Sequence, residues 1–239
     1  MLAMAGAAVE TYDDLAAGDL AAYDVAYQDD LSDLIRGGVL PAYVSGFPDG
    51  TFRANNSATR AEVASMLYRL LDTVGGRRPV TTTPNFTDVS DNAWYARAVN
   101  TLASMEIIVG YPDGTFRPNQ PITRAEVTTL LVKFLNAPQM SSTNIFSDLA
   151  ETHWAYSFIM QAHANGWVAG YPDGTFRPDV NIIRAEVVTI INNATSRSSY
   201  KEWLRFEADF PDVDDSHWAY SNIILAAEDI IWYREATGE

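Results

Sequence analysis

The chain has 239 residues, 47% of them hydrophobic and 12% aromatic, and carries a formal net charge of −15. That much apolar material excludes a disordered tail, and the acidic balance excludes a nucleic-acid footprint. There is no run of roughly eighteen apolar residues to span a membrane, and no cysteine for a disulfide, a thiolate metal site or a Cys nucleophile.

The first eight residues, Met1 to Ala8, are small and apolar and contain an A-x-A pattern at Ala5-Gly6-Ala7. They read as the remnant of a secretory signal peptide, the alternative being an Ala-rich N-terminus. A stretch with helical character follows, roughly Asp29 to Val44. Then one block occurs three times: GFPDGTFRANNSATRAEV from Gly46, GYPDGTFRPNQPITRAEV from Gly110 and GYPDGTFRPDVNIIRAEV from Gly170. A second block alternates with it: FTDVSDNAWYARAV from Phe86, FSDLAETHWAYSFI from Phe146 and FPDVDDSHWAYSNI from Phe210. Units this short cannot bury an apolar face alone and must pack on one another. The segments 72–84 and 136–144 are turn-rich linkers, whereas 194–209 holds Trp203, Leu204 and Phe206 and is expected to pack in part.

The order of the blocks suggests closure. The first loop block has no F-x-D or Trp before it, whereas the last Trp block, Phe210 to Trp232, has no loop block after it. The last is expected to pack near the first and give a circularly closed, pseudo-threefold domain.

Each Trp block predicts an amphipathic helix, as in Trp94-x-x-x-Ala98-Val99-x-x-Leu102, followed by a short strand-like segment such as Ile107-Ile108-Val109. Pro-Asp-Gly is a turn: Pro presets φ, Asp bonds locally and Gly takes a positive φ. Thr59-x-x-Glu62 and Thr123-x-x-Glu126 are capping boxes opening helices over 61–71 and 125–135. The third helix, 185–192, has Ile183 at the capping position, a loss of about 1 kcal/mol. The expected fold is mostly α, with helix, tight turn and helix in each repeat.

Arg60, Arg124 and Arg184 fall at the first position of a helix, where a cation opposes the macrodipole. Helix stability does not ask for Arg there, so its threefold recurrence points to an anion site, with a salt bridge to a neighbouring Asp as the alternative. Asp49, Asp113 and Asp173 read first as turn residues, with a sugar hydroxyl as a second partner. Trp94, Trp154 and Trp218, at helical spacing, read as core before sugar stacking. Tyr111, Tyr171 and Phe47, beside the turns, suit a groove wall. His153, His163 and His217 form no metal cluster, and an active site is rarely present in three copies, so no metal, cofactor or enzyme activity is expected.

F-x-D-V-x-x-x-x-W, G-Y-P-D-G-T-F-R-P and I-T-R-A-E together resemble the S-layer homology (SLH) repeat over about four-fifths of the chain. The resemblance implies a three-repeat pseudo-trimer around a central helical bundle, with grooves between repeats. Its repeats would be 9–75, 85–138 and 145–195, with an extra half-repeat at 206–233. It implies a secreted protein at the bacterial cell wall, non-covalently bound to secondary cell wall polysaccharide that typically carries pyruvate ketals. Groove residues carried over from the family are Arg60, Arg124, Arg184, Asp49, Asp113, Asp173, Gly46, Gly110 and Gly170. Two other readings stand beside this one. The first is a self-assembling subunit of a surface layer or filament. The second is binding of amine-modified peptidoglycan, which the acidic surface suits.

Overall fold

The computed structural model describes residues 39–40, 42–72, 86–140, 142–198, 209–228 and 230–231. The first eight residues, the linker 73–84, the segment 199–208, Trp232 and most of the expected helix over 29–44 lie outside them. Where that helix is described it is not helical: Val39–Leu40 is a strand, β1, pairing antiparallel with β2, Ile230–Ile231, in the register Val39↔Ile231 and Leu40↔Ile230.

The regular structure among the described residues is mostly helical, in six helices: α1 Arg60–Asp72, α2 Ala96–Ser104, α3 Arg124–Phe134, α4 Tyr156–Ala164, α5 Arg184–Ala194 and α6 Tyr220–Ala227. Each RAE helix packs on the Trp-block helix that follows it, α1 on α2, α3 on α4 and α5 on α6. The expected strand over 107–109 is absent. The N–H groups of Ile107 and Ile108 both donate to the carbonyl of Leu102, at 3.0 and 3.1 Å, so they close the C-terminus of α2 instead of pairing with another chain segment.

The three loop blocks meet in a closed cycle. Ala58 N donates to Ile182 O, Ile182 N to Ile122 O and Ile122 N to Ala58 O, all at 2.9–3.0 Å. A helix leaves its first N–H groups without internal partners, and here carbonyls of another repeat accept them. Arg60 N and Ala61 N donate to Gln120 and Pro118, Arg124 N and Ala125 N to Val180 and Pro178, and Arg184 N and Ala185 N to Asn56 and Ala54. The start of each RAE helix is therefore capped by a different repeat.

Local capping adds to this. Glu62 Oε2 accepts Thr59 N and Glu126 Oε2 accepts Thr123 N, both at 2.8 Å, while the Thr hydroxyls accept the Glu amides in return. At Ile183 half of the box survives: Glu186 Oε2 still accepts the Ile183 amide at 3.2 Å, but no hydroxyl answers.

The C-terminal block packs on the first loop block. Tyr43 N and Val44 N donate to Ala226 O, and the Phe210 ring lies 5.5 Å from that of Phe52. The carboxylate of Asp212 accepts the amides of Phe52 and Arg53 at 2.8 and 2.6 Å. Asp88 does the same for Phe116 and Arg117, and Asp148 for Phe176 and Arg177. Arg53, Arg117 and Arg177 each hold φ near +60°, a conformation that costs a non-glycine residue of order 1 kcal/mol or more. The F-x-D carboxylate holds the backbone in it.

Candidate functional site

The site is built from the turns upward. In each Pro-Asp-Gly turn the Gly N–H donates to the aromatic carbonyl three residues back, and Gly50, Gly114 and Gly174 take φ of 77–80°. Asp49, Asp113 and Asp173 accept both the amide and the hydroxyl of the Thr two residues on, at 3.0 and 2.6 Å. Their second oxygens pair with Arg53, Arg117 and Arg177 at 2.8–2.9 Å. Those guanidinium groups lie over the rings of Phe47, Tyr111 and Tyr171, 3.8–4.0 Å from the centroids. Asp, Arg and aromatic ring therefore form a tied exposed platform, and Arg53, Arg117 and Arg177 belong to it although sequence reasoning passed them over. The signal was present, since each follows the repeated Gly-Thr-Phe.

The Thr hydroxyl first, then Arg and the Thr amide, hold the carboxyls of Asp113 and Asp173 down to about 2, and Asp49 is lowered by the same groups. A depressed carboxylate stabilises the fold fully above its ordinary value near 3.9, and its contribution is lost as pH falls through the folded value. A carbon-13 titration of the Asp carboxyls is expected to show midpoints near 2 for Asp113 and Asp173 and a lowered midpoint for Asp49. Midpoints near 4 would mean that the turn network does not form.

Gly46, Gly110 and Gly170 serve close packing. A Cβ on Gly110 would lie 2.3 Å from Phe86 Cε1, one on Gly170 2.8 Å from Phe146 Cε1, and one on Gly46 2.7 Å from Phe210 Cε1. The F-x-D phenylalanine of each Trp block presses against this glycine.

Arg60, Arg124 and Arg184 are only 4–7% exposed. Their partners are glutamates of the capping boxes, rather than an Asp, in a second cycle: Arg60 with Glu126 at 2.8 Å, Arg124 with Glu186 at 3.7 Å and Arg184 with Glu62 at 3.4 Å. Arg60 Nε donates to Phe116 O and Arg184 Nε to Phe52 O, both at 2.8 Å. Arg124 is turned instead so that a terminal nitrogen donates to Ala169 O at 2.7 Å, leaving its buried Nε without a partner. Desolvation by burial pulls the pKa values of Arg124 and Arg184 down. The macrodipole penalty at these positions is thus outweighed by ion pairs and hydrogen bonds made between repeats.

The tryptophans correct the core reading. Trp94, Trp154 and Trp218 are 68%, 57% and 60% exposed. The helices begin two residues after each of them, so the indoles sit on the preceding turn. The core instead takes Val99 and Leu102 of α2, Ile159 and Ala162 of α4, and Ile223 and Ala226 of α6. His153 and His217, beside the indoles, accept the amides of Ala155 and Ala219 on Nδ1 at 3.1 Å, where those helices lack a side-chain cap of their own.

A cavity of about 320 Å³ lies where the repeats meet. Gly46, Phe47 and Pro48 form one wall, Glu62, Ser65, Met66 and Arg69 of α1 the next, and Trp94 and Arg184 complete it. It places an exposed indole, one buried and one exposed guanidinium and a carboxylate around one opening, a set suited to a sugar bearing an acid group. Among the described residues no group of three or more His, Asp or Glu is placed to hold a metal ion, and no helix is long and apolar enough to cross a membrane.

The S-layer homology domain matches residues 42–64, 85–128 and 145–188. Cell surface glycoprotein 1 of Acetivibrio thermocellus is 38% identical over 205 residues, which are 81% of this chain and 9% of that protein. The cellulosome-anchoring protein of the same organism is 36% identical over 195 residues, 80% of this chain and 42% of that one. An amylopullulanase of Thermoanaerobacterium thermosulfurigenes is 32% identical over 162 residues, 65% of this chain and 8% of the enzyme. The chain thus spans less than half the length of each of these curated relatives.

Proposed function

Because the chain belongs to the S-layer homology family, we propose that its inter-repeat grooves attach it to the cell wall by binding an acidic, pyruvate-bearing secondary wall polysaccharide. It is a secreted, wall-associated protein. The same segment recurs in a surface glycoprotein, an anchoring protein and an amylopullulanase. What such different proteins share is more economically attachment than chemistry, which supports a non-enzymatic anchor.

The observation that carries the finer reading is the cavity between repeats, with Arg184 and Arg69 facing it beside the exposed ring of Trp94. On a chain of net charge −15 these cations are locally placed against the overall field. Arg is suited to carboxylates by its planar fork, and a sugar face stacks on an indole. Related grooves along one polymer would add avidity through effective concentration.

The test is co-sedimentation with purified wall sacculi, before and after mild acid removal of pyruvate ketals, beside a Trp94→Ala/Trp154→Ala/Trp218→Ala variant. Exposed side chains of this kind contribute within about 0.5 kcal/mol to stability, so the variant should fold. Wild type is expected to pellet with untreated walls only, and the variant to stay in solution. Pelleting indifferent to ketal removal would refute the acidic polymer in favour of amine-modified peptidoglycan. Pelleting without walls would favour self-assembly.

A further inference from the structure

Asp is followed by Gly at three places in the chain, Asp49-Gly50, Asp113-Gly114 and Asp173-Gly174. This is the dipeptide at which a polypeptide most readily rearranges. The glycine amide nitrogen attacks Cγ of the Asp, a C–N bond forms as a C–O bond breaks, and the amide proton leaves with the carboxyl hydroxyl as water. A second water then opens the succinimide ring. Where it attacks the former backbone carbonyl, the chain is left running through the side-chain carboxyl as isoaspartate. All three Asp side chains are about half exposed, so burial does not exclude water from them. Nor can the glycines be exchanged freely, because each holds φ of 77–80°. We propose that the Asp–Thr–Arg network of each turn holds these steps unreactive, and that Asp49 is the least protected and the residue at which the folded chain first isomerises.

Three constraints oppose the reaction. First, the carboxyl must be protonated for its oxygen to leave as water. In each turn one carboxylate oxygen accepts the amide and hydroxyl of Thr51, Thr115 or Thr175, and the other pairs with Arg53, Arg117 or Arg177. These donors favour the anion. With Asp113 and Asp173 held down to about 2, the reactive acid near neutrality is on the order of a hundredfold scarcer than for an ordinary Asp. Asp49 is lowered by the same groups. Second, the carboxyl must swing to the glycine nitrogen, and the same bonds hold it to Thr and Arg instead. Third, the glycine N–H must be freed, and it donates to the carbonyl of Phe47, Tyr111 or Tyr171 at 2.9 Å.

The turns differ in what anchors the glycine from outside. Thr87 N donates to Gly114 O and Ser147 N to Gly174 O, both at 2.9 Å, and the hydroxyls of Thr87 and Ser147 reach the same carbonyls at 3.3 and 3.2 Å. Thr87 and Ser147 are the middle residues of the F-x-D motifs. In the closing block that residue is Pro211, which has neither an N–H nor a hydroxyl to give. The peptide after Gly50 is therefore freer to rotate, and rotation is what brings the Gly50 nitrogen to the Asp49 carboxyl. Isomerisation there inserts a methylene into the backbone and moves the carboxyl. It removes the partner of Arg53, whose guanidinium lies 3.8 Å from the centre of the Phe47 ring.

Incubation of the full chain at neutral pH and physiological temperature tests this, with peptide mapping to locate isoaspartate and enzymatic methylation of isoaspartyl carboxyls to quantify it. In the folded chain isoaspartate is expected first at Asp49, severalfold ahead of Asp113 and Asp173. In guanidinium, where the turns are lost, the three steps should react at one rate, on the order of a hundredfold above that of folded Asp113 and Asp173. Arg117→Ala should speed Asp113 alone. Pro211→Thr, which gives the closing block the Phe-Thr-Asp of residues 86–88, should slow Asp49 to the rate of the other two, and the reverse change Thr87→Pro should bring Asp113 up to the rate of Asp49. Folded and unfolded chains that isomerise alike, or an Arg117→Ala chain with Asp113 unchanged, overturn the protective role of the network. Three equal rates in the folded chain, or exchanges at 211 and 87 that both leave the rates unchanged, overturn the assignment of Asp49.

Discussion

A chain cut after residue 208 is expected to lose the cooperative unfolding of the whole domain and not merely its last helix. The removed segment buries Phe210, Val213, Ile223, Ile224 and Leu225, each at most 7% exposed. At about 1.5–3 kcal/mol per large apolar side chain, their loss is on the order of 10 kcal/mol, comparable to the whole stability of a typical domain. Polar groups are orphaned as well. Asn192 loses Asn222 O, its acceptor at 2.8 Å, and the fully buried Arg197 loses Leu225 O, at 2.6 Å. Phe52 and Arg53 lose the Asp212 carboxylate. The α5–α6 pair also holds a buried polar contact between its helices. Asn192 faces Asn222, whereas Tyr68 and Ala98, or Val132 and Phe158, stand at the corresponding positions. Satisfied buried polar pairs of this sort select one docking partner among similar ones, so α6 is matched to α5. Urea denaturation followed by circular dichroism measures the effect. A sharp transition retained by the truncated chain, with a slope reduced only in proportion to its length, would show that the repeats stack without needing closure.

Arg60→Ala is expected to cost about 3–5 kcal/mol, because it leaves the partly buried carboxylate of Glu126 and the carbonyl of Phe116 without their donor. The guanidinium also packs over the rings of Phe116 and Tyr111, 4.8 and 5.0 Å from their centroids, and that contact goes with it. Combining Arg60→Ala with Glu126→Gln should cost less than the sum of the two, since the second change removes the stranded charge. Equilibrium denaturation of both single variants and the double variant gives the coupling. If Arg60→Ala lies within 1 kcal/mol of wild type, the interlocking role is wrong. Removing all three buried arginines would therefore report on folding before it reported on wall binding. The exposed residues Arg69, Trp94, Trp154 and Trp218 are the ones whose removal isolates binding.

Much of the architecture was legible from the repeats. The Pro-Asp-Gly turns, the Thr-x-x-Glu boxes and the RAE helices all form, with helix ends within two residues of those expected. The family resemblance followed from those blocks and is met by the matching domain. Each of these signals acts within about four residues, through a preset φ, a side chain reaching a nearby amide, or helical periodicity. Local signals failed where the partner comes from far along the chain. The helical spacing of Trp94 said core, but the turn before α2 lifts the indole into solvent. Ile107 and Ile108 looked like a strand, but α2 took their amides. The arginines at the helix starts seemed unneeded, because their glutamates arrive from 62 to 122 residues away. The positive φ of Arg53 depends on Asp212, 159 residues distant. The sequence by itself determined the repeating helix–turn–helix unit, because its causes are local. Only the tertiary structure decided which charges are buried and which aromatics are exposed, because those depend on carbonyls and carboxylates that closure of the chain brings together.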